Sequence, residues 1–134
     1  MKVFADTYFY LALFNTRETH HRRVVEYAGT LTGMVVTTQW VLMELADAMA
    51  GVPERREMQA KFQILKDDPG TTVVEASGAW FERGLALYHS RPDKAWSLTD
   101  CISFAVMAER GLTEALTGDR HFEQAGFTTL LAEK

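Results

Sequence analysis

The chain has 134 residues and carries 18 acids against 14 bases, a net charge of −4, with 47% apolar and 24% charged residues. That composition excludes disorder and fibrous or repeat architectures, and the length suits one domain over 1–134, because domains commonly run to about 100–150 residues. No apolar run approaches the ~20 residues that span a bilayer, Asp6 comes too early for a secretory leader, and the lone Cys101 excludes an internal disulfide or a multi-thiolate zinc site. The expectation is a cytoplasmic protein with no membrane contact.

Short apolar runs alternate with helical patterns, which predicts βα units and a parallel sheet. Met1–Thr7 is a short buried strand, and Tyr8–Phe14 begins a helix. Glu18–Ala28 is helical, with Val24, Val25 and Ala28 on one face. Met34–Thr37 is a β-branched strand, and Thr38 caps a helix in which Val41, Leu45, Ala48 and Val52 recur at helical spacing. Pro53 suits the first turn of a helix over Glu54–Lys66. Thr71–Glu75 is a third strand and Gly78–His89 a further helix. Ser97 caps a helix that runs to Arg110 and is apolar nearly all round, so it is expected to be buried. Glu114–Thr117 is a fourth strand, Arg120–Ala125 a short helix, and Phe127–Leu131 a fifth strand. The fold class is α/β, a three-layer α/β/α sandwich with a central parallel sheet of about five strands.

In open parallel sheets, sites form beyond the carboxyl ends of the strands. Asp6 follows the first strand and Asp119 the fourth. Asp100 lies in the first turn of the buried helix, and Glu44 about two turns into the helix after the second strand. Each sits in or beside apolar sequence, where a carboxylate is costly unless paired or bound to a cation. Oxygen ligands alone select hard cations such as Mg²⁺ or Mn²⁺. Three of these acids have a second explanation. Ser97-Leu98-Thr99-Asp100 fits a capping box, and Asp119 can cap the helix beginning at Arg120. Glu44 fits a partly solvated helix position as well. Asp6 has no evident surface role. If four acids form one site, the remaining 14 balance the 14 bases, so the net charge does not argue against nucleic acid.

Phe4-Ala5-Asp6-Thr7, Glu44 within Val41–Asp47, Trp96–Phe104 around Asp100, and Thr117-Gly118-Asp119-Arg120-His121-Phe122 together resemble the four acidic motifs of PIN-domain ribonucleases. The order and spacing match over essentially the whole chain, and within the family the chain is most similar to VapC-type toxins of toxin–antitoxin pairs. The resemblance implies that Asp6, Glu44, Asp100 and Asp119 gather at the carboxyl edge of the sheet, hold one or two Mg²⁺ or Mn²⁺ ions, and cleave single-stranded or looped RNA. It also places a hydroxyl beside two of the acids, for which Thr7, Thr99 and Thr117 are candidates. Tyr8 departs from the small polar residue that many members carry there.

The partners implied are RNA, a second copy of the chain in a homodimer, and an antitoxin whose C-terminal tail puts a basic residue into the acidic pocket. Trp40, Met43, Met49, Met58, Phe62 and Leu65 are the apolar residues offered to those interfaces, or else to the core. Arg17, Arg22, Arg23, Arg91, Lys94 and Arg120 stand near loop or helix ends and are available to hold RNA; Arg120, beside Asp119, is the most suggestive of them, or is simply solvated. Trp40, Trp80 and Trp96 could stack bases but suit the core better. His20, His21, His89 and His121 show no spacing that makes a site. The competing readings are a stand-alone PIN ribonuclease of RNA processing, a non-catalytic PIN-like interaction domain, and a phosphoacceptor receiver. The last lacks its usual acidic pair after the first strand, where Asp6-Thr7 stands.

Overall fold

A computed structural model describes residues 1–133. Five strands form one sheet: β1 (Lys2–Ala5), β2 (Met34–Thr38), β3 (Thr71–Val74), β4 (Glu114–Leu116) and β5 (Thr128–Thr129). Around them run α1 (Thr7–Phe14), α2 (His21–Ala28), α3 (Gln39–Ala48), α4 (Met58–Asp67), α5 (Gly78–Ser90), α6 (Leu98–Arg110) and α7 (Arg120–Gln124). All pairings are parallel, with Val3 opposite Val35, Thr37 opposite Val73, and Ala5 opposite Leu116. Parallel neighbours require crossover connections, and these cover the sheet with helices. The result is the three-layer α/β/α sandwich expected.

The strand order is β3-β2-β1-β4-β5. The chain therefore builds outward from β1 to β3, then returns to the other side of β1 for β4 and β5. The direction reverses between β1 and β4, and ligand crevices in open α/β sheets lie outside the carboxyl ends of strands at such a reversal. This order also differs from the 2-1-3-4-5 order of receiver-type folds, which removes that competitor.

The core is continuous across the layers. Phe4, Ala5, Val36, Ala115 and Leu116 fill the sheet, and Cys101, Ile102, Phe104, Val106 and Met107 make α6 the buried helix its composition predicts. Phe104 is a hub, edge-on to Phe122 at 4.9 Å and to Trp96 at 5.1 Å. Such pairs favour one packing over its alternatives.

Several boundaries move. β1 ends at Ala5 because Thr7 already belongs to α1, leaving Asp6 as the hinge between strand and helix. The Glu18–Ala28 helix begins only at His21. The Glu54–Lys66 helix opens as a 3₁₀ turn over Pro53–Glu57 before α4 begins at Met58. β5 shrinks to two residues, yet Leu130 and Leu131 still donate their N–H groups to Ala115 and Thr117. Of the apolar residues offered to interfaces, Met49, Met58 and Leu65 lie in the core, while Met43 is 54% exposed.

Candidate active site

Asp6 occupies the position that would cap α1, but its carboxylate makes no capping bond. It instead accepts a 2.9 Å hydrogen bond from the Thr117 hydroxyl at the end of β4. Both residues are buried. The Thr117 oxygen in turn accepts the backbone N–H of Asp119 at 3.0 Å. One hydroxyl thus ties together the acids that follow the two strands flanking the reversal. Burial, foremost, pushes Asp6 up to about 7, and the Asp100 and Glu44 carboxylates add to the rise against the opposing Thr117 bond.

Glu44 reaches the same place from α3. That helix starts where Thr38 accepts the Val41 N–H, as its sequence predicts. The Glu44 carboxylate accepts a short hydrogen bond from the Thr7 hydroxyl at the start of α1. Thr7 and Thr117 are therefore the two hydroxyls beside acids. Thr99, the third candidate, does not line the cleft.

Asp100 does two jobs at once. It completes a capping box with Ser97, accepting the Ser97 N–H at 3.2 Å while its own N–H donates to the Ser97 hydroxyl at 3.0 Å. The same carboxylate is paired with His121 Nδ1 at 2.9 Å. Burial raises its pKa first and the neighbouring Asp119 charge adds to this, while the bonds from His121 and Ser97 pull it down. Asp119 caps α7 by accepting the His121 N–H at 2.9 Å, and lies 3.6 Å from His121 Nδ1. Capping and membership of the acid cluster are thus compatible for both residues.

These groups line one open cleft of about 420 Å³, formed by Asp6, Thr7, Tyr8, Glu44, Ala95, Ser97, Asp100, Asp119 and His121. All four acids singled out in the sequence face it. Arg120 does not: its side chain is exposed outside the lining. Sequence reasoning passed over His121. Its position two residues after Asp119, in the first turn of the helix that Asp119 caps, was the available signal.

The donor set fits a divalent cation. Asp100, Asp119 and His121 can bring one ligand atom each within 4.8 Å of one another. Asp6 and Glu44 supply further hard oxygens in the same cleft. An oxygen-dominated set of this kind suits Mg²⁺ or Mn²⁺, and a cation would offset the burial and the mutual repulsion that together raise Asp6 and Asp100.

Residues 3–128 match the family model of the PIN domain. Among solved structures, the chain is similar to VapC20 of Mycobacterium tuberculosis, described as a sarcin–ricin loop cleaving toxin. The TM-score is 0.87 at 23% identity, over 96% of this chain and 98% of that one. It is also similar to VapBC2 of Rickettsia felis bound to a fragment of promoter DNA, with a TM-score of 0.67 at 12% identity over 96% and 97% of the two chains. A toxin–antitoxin complex from Klebsiella pneumoniae gives 0.62 at 18% identity over 88% and 87%. At these identities the likeness establishes the fold. No curated protein matches the sequence.

Proposed function

Since the chain belongs to the PIN domain family, we propose that it is a divalent-metal-dependent ribonuclease that hydrolyses phosphodiester bonds of single-stranded or looped RNA as the toxin of a toxin–antitoxin pair. The observation that carries this reading is the convergence of Asp6, Glu44, Asp100 and Asp119 on one cleft at the sheet's reversal point.

Asp6, Glu44 and Asp100 are the main cation ligands in this proposal. Asp119 completes the site or orients the attacking water, and His121, bonded to Asp100, is an additional candidate ligand. Bound Mg²⁺ or Mn²⁺ supplies Lewis-acid polarisation of the phosphoryl oxygen and lowers the pKa of water. The chain's own work is to hold the carboxylates. Thr117 fixes Asp6, Thr7 fixes Glu44, and Ser97 with His121 fixes Asp100. Such fixed orientation keeps the ligands from rearranging during the reaction.

The assignment of partners draws on the toxin–antitoxin complexes among the structural neighbours. It comprises a homodimer and an antitoxin tail whose arginine enters the acidic cleft, where its charge would replace that of the cation. No helix among the described residues is long and apolar enough to cross a membrane. The decisive experiment is RNA cleavage by the purified chain with Mg²⁺ or Mn²⁺, with chelator and with Asp6→Asn. Cleavage is expected only in native protein with metal. Equal cleavage by the variant overturns the site, and none under any condition overturns the activity.

A further inference from the structure

The acidic cleft repels the phosphates it is proposed to cut, so the strand needs a cationic hold nearby. Four of the nine arginines are already paired with carboxylates. Arg91 forms a two-point pair with Asp93 at 2.9 Å, and Arg83 meets Glu109 at 2.7 Å. Arg22 pairs with Glu26 at 3.5 Å and Arg17 with Glu54 at 3.7 Å. Arg23 differs. Its Nη2 donates to the Leu131 carbonyl at 2.7 Å and to the Tyr8 hydroxyl at 3.4 Å, both neutral oxygens. The guanidinium is therefore held in place while its charge stays uncancelled by any carboxylate among the described ion pairs, and its remaining N–H groups are left to a ligand.

Tyr8 connects this arginine to the acids. Its ring lines the cleft and also stacks on His20, with ring centres 5.8 Å apart. Gly118 makes room for it, since a Cβ there would lie 2.8 Å from the Tyr8 ring and hydroxyl. Beyond Tyr8 opens a groove of about 780 Å³ lined by Thr19, His20, Arg23, Tyr27 and Leu130, among others. Among the described residues the one acid lining it is Glu133, 71% exposed and 3.1 Å from His20 Nε2.

We propose that Arg23, with His20 and the Tyr8 wall, forms a phosphate-holding subsite that carries the RNA strand away from the acidic cleft along α2, with Glu133 occupying the place the RNA phosphate takes. This rests on the ribonuclease reading. An arginine held by neutral acceptors binds phosphate at little cost in side-chain ordering, and an exposed acid on a histidine is readily displaced.

The test combines steady-state cleavage of a labelled single-stranded RNA in Mg²⁺ with binding of the same RNA in the Asp6→Asn background. Arg23→Gln is expected to raise KM and weaken binding about tenfold, as for one charge-assisted contact, with kcat unchanged. The slope of log affinity against log salt should flatten by roughly 0.7, the loss of one phosphate contact on a single strand. Arg23→Lys restores most of the binding. Glu133→Gln, which leaves the Leu131 anchor intact, is expected to lower KM about threefold by removing an exposed competing charge. It decides the matter should Arg23→Gln melt early. RNA affinity and salt slope unchanged in a folded Arg23→Gln, or KM unchanged in Glu133→Gln, overturns the subsite alone. Native protein that does not cleave RNA, together with an Asp6→Asn variant that does not bind it, overturns the ribonuclease reading and the subsite with it.

Discussion

The Thr117 hydroxyl donates to Asp6 across 111 residues of sequence and in the same geometry accepts the Asp119 N–H. It is fully buried, so neither bond can be replaced by water without opening the sheet edge. Thr117→Val keeps the shape and removes both. A buried unsatisfied partner costs about 1–3 kcal/mol, and the variant is expected to lose that much in urea unfolding. RNA cleavage should fall further than stability, because Asp6 loses its fixed orientation. Thr117→Ser should recover most of both. Activity undiminished in a folded Thr117→Val would show that Asp6 needs no such support.

A second expectation concerns how α6 is seated. A Cβ on Gly84 of α5 would lie 2.3 Å from Ile102 Cγ1 and 3.1 Å from the Ile102 Cα and N. The backbone atoms cannot swing aside, so Gly84→Ala must push α5 and α6 apart. Overpacking of this kind costs typically about 1–3 kcal/mol, against a helix-propensity gain of about 0.5–1 kcal/mol. Net destabilisation in urea unfolding is expected, with reduced cleavage because Asp100 lies two residues before Ile102 on the same helix. Ile102→Ala in the Gly84→Ala background should cost less than the two changes summed. Simple additivity would contradict the contact.

The acids were legible because each stands where an apolar run ends or a helix begins. Asp6, after Val3-Phe4-Ala5, and Asp119, after the fourth strand, need only the rule that sites form at carboxyl ends of strands. Asp100 was legible as a cap and as a site residue together, and the capping box shows why those readings do not compete. What escaped was long-range. His121 meets Asp100 only because α7 packs against the start of α6, and Arg23 meets Tyr8 and Leu131 only through the folding of α2 onto the C-terminal segment. The fifth strand was overdrawn for a local reason. Leu130 keeps a single bond to Ala115 of β4, and Leu131 one to Thr117 just beyond it, after the regular ladder has ended.

The third expectation follows from Asp6, which burial and the Asp100 and Glu44 charges hold at about 7, well above its ordinary 3.8. A carboxyl whose folded-state pKa is raised binds more proton in the native than in the unfolded state. Its contribution to stability is complete below its unfolded pKa and is lost as pH rises through about 7. Asp100, also raised, acts in the same sense. Asp93 is pulled down to about 2 by the Arg91 pair and acts oppositely, but only in strong acid. Metal-free native protein is therefore expected to melt at falling temperature from about pH 5 to pH 8. Asp6→Asn keeps an acceptor for Thr117 without the charge, so its profile should be flatter and its melting point higher at the alkaline end. Millimolar Mg²⁺ or Mn²⁺ should restore the native protein there, because binding to the folded state alone raises stability, and should do much less for the variant. Calorimetric scans across that range decide it: parallel profiles for the two proteins would mean that Asp6 carries no buried charge of consequence.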